Sequence, residues 1–97
     1  MIIGFTSVGT RDIAMGENTK AARKVLPVNL TRNARAKLAA IDGATSLEDL
    51  RNAPGWRLET LLGDRAGQFS LRINQQYRIC FLWTGTDAEM VEIVDYH

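Results

Sequence analysis

Gln68-Phe69-Ser70-Leu71-Arg72-Ile73-Asn74, the turn residues Gln75-Gln76, and Tyr77-Arg78-Ile79-Cys80-Phe81-Leu82-Trp83 decide the fold of this chain. In the first segment Phe69, Leu71 and Ile73 alternate with Ser70 and Arg72. In the second, Tyr77, Ile79, Phe81 and Trp83 alternate with Arg78, Cys80 and Leu82. A period of two marks strands with one face turned to a core. A short polar turn between two such runs makes them antiparallel neighbours. Working outward, Arg57 to Leu62 predicts a strand before the turn Gly63-Asp64-Arg65. Glu89 to Tyr96 predicts another after Thr84-Gly85-Thr86-Asp87. Ile2 to Phe5 can add a short first strand.

Upstream of Trp56 the period changes. Leu30, Ala34, Leu38 and Ile41 share one helical stripe, with Arg32, Arg35 and Lys37 off it and Gly43 placed to stop the helix. Ser46-Leu47-Glu48-Asp49 has capping-box spacing, with Asp49 in place of the usual Glu, and Pro54-Gly55 closes the short helix it opens. Thr6 or Ser7 can cap an earlier helix ending near Gly16. Gly16 to Lys24 is polar and basic and reads as a loop. The expected helices cover residues 7–16, 29–42 and 47–52. The expectation is a single α+β domain over residues 1–97: two to three N-terminal helices on one face of a mainly antiparallel sheet of four to five strands, the other face left open.

With 97 residues and 45% apolar content, one compact core is attainable. Cys80 is the single cysteine, which rules out an intrachain disulfide or a thiolate metal cluster. The N-terminal residues lack the basic flank of a signal peptide, and Ile79 to Trp83 is far shorter than the roughly 20 residues of a membrane span. The expectation is therefore a cytoplasmic protein with no membrane partner. Net charge is only +1, but it is unevenly spread. Residues 1–41 hold seven basic and two acidic side chains, a net of +5, and residues 42–97 hold five basic and nine acidic, a net of −4. Lys20, Arg23, Lys24, Arg32, Arg35 and Lys37 follow one another with no acidic residue between them. Such a run is either a face for a polyanion or a solvated helix surface.

Three places can carry chemistry. Arg78 lies in a strand of aromatic and aliphatic residues, opposite in direction to the aromatic row. A charge there needs a ligand or a partner: a phosphate suited to its planar fork, or a structural ion pair with Asp95 or Glu92. Asp95-Tyr96-His97 contains the one histidine, the side chain that titrates near neutrality. It is either a functionless tail or a cluster of acid, phenol and imidazole at a strand end. Glu59 sits mid-strand, as a base or as an exposed strand carboxylate. The scattered glycines make no phosphate loop, and no His, Cys or carboxylate group has metal-ligand spacing. Cys80, Trp56 and Trp83 read as core.

The string from Trp56 through Gly63-Asp64-Arg65 to Phe69-Ser70, then Tyr77-Arg78-Ile79-Cys80-Phe81, and finally Asp95-Tyr96-His97, resembles the HigB toxins of the RelE superfamily. Ile2-x-x-Phe5 and Ala44-Thr45-Ser46-x-x-Asp49-Leu50 also look like that family, so the likeness runs through nearly the whole chain. Two positions depart from its pattern: Glu59 stands where His is common, and Leu62 where Lys is common.

The resemblance implies a RelE-like fold and a metal- and cofactor-free endoribonuclease that cuts messenger RNA in the ribosomal decoding site. It implies restraint by a HigA-type helix-turn-helix antitoxin, through which alone operator DNA is bound. It places Arg78 as the phosphate-stabilising arginine and Asp95, Tyr96 and His97 in the active site. In YoeB-like relatives a glutamate base works with a terminal histidine acid, and Glu59, Arg78 and His97 are similar to that set. Attack of a ribose 2′-OH needs a base, a stabiliser of phosphoryl charge and an acid for the leaving 5′ oxygen. The basic run would then grip ribosomal RNA, with Arg65 and Arg72 nearer the message, or would take an acidic antitoxin segment. A non-enzymatic module on the same scaffold, such as a ParE-like gyrase poison or a degenerate toxin, is the other reading. It lacks the set of Arg78 with Asp-Tyr-His.

Overall fold

The structure, a computed structural model, describes residues 1–95. Four α-helices come first: α1 (Val8–Ala14), α2 (Lys20–Val25), α3 (Thr31–Gly43) and α4 (Leu47–Arg51). Four strands follow: β1 (Glu59–Thr60), β2 (Phe69–Arg72), β3 (Tyr77–Trp83) and β4 (Ala88–Asp95). They form one sheet in the order β1-β2-β3-β4, every neighbouring pair antiparallel. The α+β class, helices α1, α3 and α4 and the open meander are as the sequence predicts.

The apolar halves of both repeats meet where expected. Ala34, Leu38 and Ile41 of α3 pack in one cluster with Leu71 of β2, Ile79 and Phe81 of β3, and Val91 and Ile93 of β4. Burial of this size is the main stabilising term of a small domain. Leu50 of α4 joins the same cluster. The Asp49 carboxylate holds the start of α4, accepting from the Thr45 amide at 2.9 Å, the Thr45 hydroxyl at 3.1 Å and the Ser46 amide at 3.4 Å. Those bonds, the Thr45 amide first, pull its pKa below the ordinary aspartate value.

Three local expectations change. The segment read as a loop contains α2. Thr19 accepts from the Ala22 amide at 3.1 Å as its N-cap, and Lys20-Ala21-Ala22-Arg23-Lys24 are good helix formers. The helix shows no apolar period because Ala22 is the one residue in it that is fully buried. Gly9 lets α1 approach it closely, since a β-carbon there would run into the Ala21 carbonyl and the Val25 side chain. Second, Ile2 to Phe5 joins β4 through two isolated parallel bridges, Ile2↔Ala88 and Phe5↔Val91, and not through a full ladder. Beyond them Thr10 takes over: its buried hydroxyl accepts from the Ile93 amide of β4 at 3.0 Å. Third, the strand expected over 57–62 shrinks to two residues, because Arg57 has a positive φ of 50°, which breaks the extended run.

Candidate active site on the open sheet face

The register sets Glu59, Ser70 and Cys80 side by side on β1, β2 and β3, with Glu92 next on β4. Arg72, Arg78 and Val94 form the adjoining row. These are the positions that alternate away from the core, so the face opposite the helices is polar and charged. Arg78 is its centre. Its side chain is 12% exposed. Nε donates to Ser70 Oγ at 2.7 Å and Nη2 donates to the Arg57 carbonyl at 2.8 Å. Nη2 also lies 3.3 Å from Glu59 Oε1. The charge amid apolar neighbours therefore has a carboxylate in Glu59, and Glu92 pairs instead with Arg65 at 3.2 Å.

Arg65, in a single 3₁₀ turn at 63–65, also donates to Gln68 Oε1 at 3.0 Å. Arg72 donates from Nε to the Asn74 carbonyl at 3.2 Å. Within the row of Glu59, Ser70 and Glu92, Cys80 is buried. Burial pushes its thiol up, against smaller opposing influences from Arg65 and Arg78. It is a small apolar filler, as its place in the strand predicts.

Glu59 is not enclosed. Its side chain is 53% exposed, and its ion-pair partner is a guanidinium. Leu62, which stands where the family commonly has Lys, is 86% exposed. Asp95 lies at the end of β4 opposite Tyr77, one position beyond Arg78's partner Val94, and accepts from Gln76 Nε2 at 3.1 Å. Tyr96 and His97 lie outside the described residues.

The basic run divides. Lys20, Arg23, Lys24, Arg32 and Arg35 are exposed on α2 and α3. Arg32 and Arg35 rim a cavity of about 340 Å³ floored by Ile13, Ala22 and Val28. That cavity and a second of about 250 Å³ beside Phe5 and Leu38 both lie in the helical layer, away from Arg78. Lys37 does not join this surface. It is 7% exposed, its ammonium sits 5.3 Å from the centre of the Trp56 ring, and it donates to Asn33 Oδ1. Burial lowers its pKa from the ordinary lysine value. Its role is packing α3 against Trp56, which removes it from the polyanion-binding set.

Two participants escaped the sequence reading: Ser70 and the Arg57 main chain. Ser70 carried a signal, a hydroxyl on the off-core face of a strand. That it faces Arg78's row depends on a register the sequence does not print.

The profile of RelE-like toxins of the type II toxin-antitoxin system HigB matches residues 16–97. The chain belongs to this HigB-like toxin family. It is 38% identical over 60 residues to Toxin HigB-1 of Vibrio cholerae serotype O1, a stretch covering 62% of this chain and 63% of that one. It is 38% identical over 61 residues to Endoribonuclease HigB of Proteus vulgaris, covering 63% and 65%. The chain thus spans somewhat less than two thirds of either relative.

Proposed function

We propose that this protein is an endoribonuclease toxin that cuts messenger RNA in the ribosomal A site and is held in check by a HigA-type antitoxin. The observation that carries the reading is the Arg78 guanidinium, kept at an open, polar sheet face in a family that includes a named endoribonuclease. A fork fixed by neighbours is pre-organised for the charge that builds on a phosphoryl group.

In this reading the phosphodiester enters over the β2–β3 face and its non-bridging oxygens meet Arg78. Glu59, displaced from the ion pair, takes the 2′-OH proton as that oxygen attacks the adjacent phosphorus in line. His97 delivers a proton to the departing 5′ oxygen, Asp95 orients the tail, and Tyr96 stacks on or orients the message. The products are a 2′,3′-cyclic phosphate and a 5′-OH. DNA, lacking the nucleophile, is not cut. Arg65 and Arg72 lie nearer the message, and Lys20, Arg23, Lys24, Arg32 and Arg35 contact ribosomal RNA through salt-sensitive pairing. The setting of this chemistry is the cytoplasm.

Primer extension on one message, translated and untranslated, with purified protein tests the proposal. Cleavage within codons of the translated message alone is expected. Cleavage of naked RNA at the same sites removes the ribosome from the reading, and an intact message in both reactions removes the nuclease.

A further inference from the structure

Between Trp56 and β1 the chain carries one residue more than the sheet needs. Glu59 pairs with Ser70, so an unbroken ladder would set residue 57 against Arg72. Instead the Arg72 amide donates to the Trp56 carbonyl at 2.7 Å. Three steps on this side face two on β2, which is the count of a β-bulge. The surplus is taken up at Arg57, whose φ of 50° is a conformation that side-chain-bearing residues disfavour. Its carbonyl, turned out of the ladder, is the one that accepts from Arg78 Nη2 at 2.8 Å.

The second anchor comes from below. Ser70 is 0% exposed, and a buried hydroxyl without a partner is costly. Its oxygen accepts from Arg78 Nε at 2.7 Å. A guanidinium is planar, and Nε and Nη2 lie on one edge of it. Rotation of the plane about the Cδ–Nε bond would break the contact to Arg57, and a shift of the side chain along the strand would break the contact to Ser70. Glu59, by contrast, is a half-exposed carboxylate on a rotatable stem, and can leave without freeing the plane. We infer that Ser70 and the bulged main chain at Arg57 are positioning elements of the site: they set the plane of the Arg78 guanidinium that receives the scissile phosphate. This rests on the proposed role of Arg78 in RNA cleavage.

The test is single-turnover cleavage of message on programmed ribosomes by the full chain, with thermal unfolding followed in parallel. Ser70→Ala is expected to lower the maximal rate roughly tenfold to a hundredfold, the range of one hydrogen bond to a charged group, with little change in the concentration for half-saturation. Arg57→Val, whose branched side chain resists a positive φ, should fall with it. Arg57→Gly, which adopts that φ without strain and lacks the same surface charge, should exceed Arg57→Val by about tenfold. In an Arg78→Ala background Ser70→Ala should add no further loss, because it acts through Arg78.

A wild-type rate for Ser70→Ala, or equal rates for Arg57→Gly and Arg57→Val, overturns the inference. So does a further loss in the Arg78→Ala background. Should Ser70→Ala unfold, the two Arg57 variants decide. If Arg78→Ala itself cleaves normally, the catalytic reading fails first. If it is slow while Ser70→Ala and Arg57→Val are normal, only the positioning role is lost.

Discussion

Arg78 and Arg35 are the same side chain in two settings. Arg78 rises from the middle of a strand, 12% exposed, and its fork meets a buried hydroxyl, a turned carbonyl and a carboxylate. Arg35 lies exposed on α3, its guanidinium against the turn at Gly16, where a β-carbon would come within 2.7 Å of it. The first has its orientation fixed before any ligand arrives, and the second rests on a surface with a rotamer-rich stem. A held guanidinium can contribute to a transition state, because little order remains to be imposed when charge develops. A loosely held one contributes mainly long-range attraction that salt screens. In the proposed reading, the sheet face would thus contribute geometry and the helical layer field.

The largest expected effect sits at the held end. Arg78→Ala should reduce ribosome-dependent cleavage by ~10²–10³, about 3–4 kcal/mol of transition-state stabilisation, while the protein stays folded. Growth inhibition on induction and circular dichroism of the purified variant check both halves. Unfolding of that variant would make Arg78 a structural ion-pair member and erase the contrast with Arg35.

Glu59→Gln comes next. It keeps the side-chain shape but removes the proposed base, and a slowing of roughly 10²-fold in single-turnover cleavage is expected. Because the carboxylate is half exposed and beside a guanidinium, this is the sharpest question about the sheet face. A wild-type rate would reduce Glu59 to the exposed strand carboxylate that its position equally allows. The base would then be sought in Asp95 or Tyr96.

How much of this was legible beforehand follows from what each feature depends on. Strands β2 to β4 and helix α3 could be read because their apolar periods place Leu71, Ile79, Phe81, Val91, Ile93, Ala34, Leu38 and Ile41 in one buried cluster, although Ser70 and Cys80 between them are buried as well. Helix α4 could be read because Asp49 stands three residues after Ser46. Helix α2 could not, since six residues with one fully buried side chain leave no period. Arg78 announced itself as a charge in an apolar strand. Ser70 and the Arg57 carbonyl did not, because one needs the register and the other a backbone dihedral. Lys37 was misassigned for a related reason: it borders the α3 stripe beside Leu38, and only the folded position of Trp56 shows what covers it.

At the loosely held end, removing Arg32 or Arg35 should weaken ribosome binding modestly and lower the slope of log affinity against log salt by roughly 0.7–0.9 per charge. Lys37→Met should leave that slope unchanged and cost about 0.5–1 kcal/mol of stability, the worth of a cation over a ring. Binding at several salt concentrations distinguishes the two. An equal slope change at all three positions would mean that the buried lysine reaches RNA after all.

The smallest effect concerns neither cation set and serves as a control on folding. The Asp49 pKa is depressed in the folded chain, so its contribution is present above the unfolded value near 3.8 and is lost as pH falls through the lower folded value. Acid titration of helicity should show this component, and Asp49→Asn should remove it without changing cleavage near neutral pH.

The margins of the sheet have a consequence for solubility. A row of open amides along an edge strand is where chains recruit one another into aggregates. Here β1 offers two residues on one side. On the other, β4 is met by the carbonyls of Met1 and Gly4, and farther along by the Thr10 hydroxyl, which occupies the Ile93 amide. A second copy approaching either margin finds too few vacant donors in line to begin a shared ladder, so that route to self-templating is blunted at both edges of the sheet.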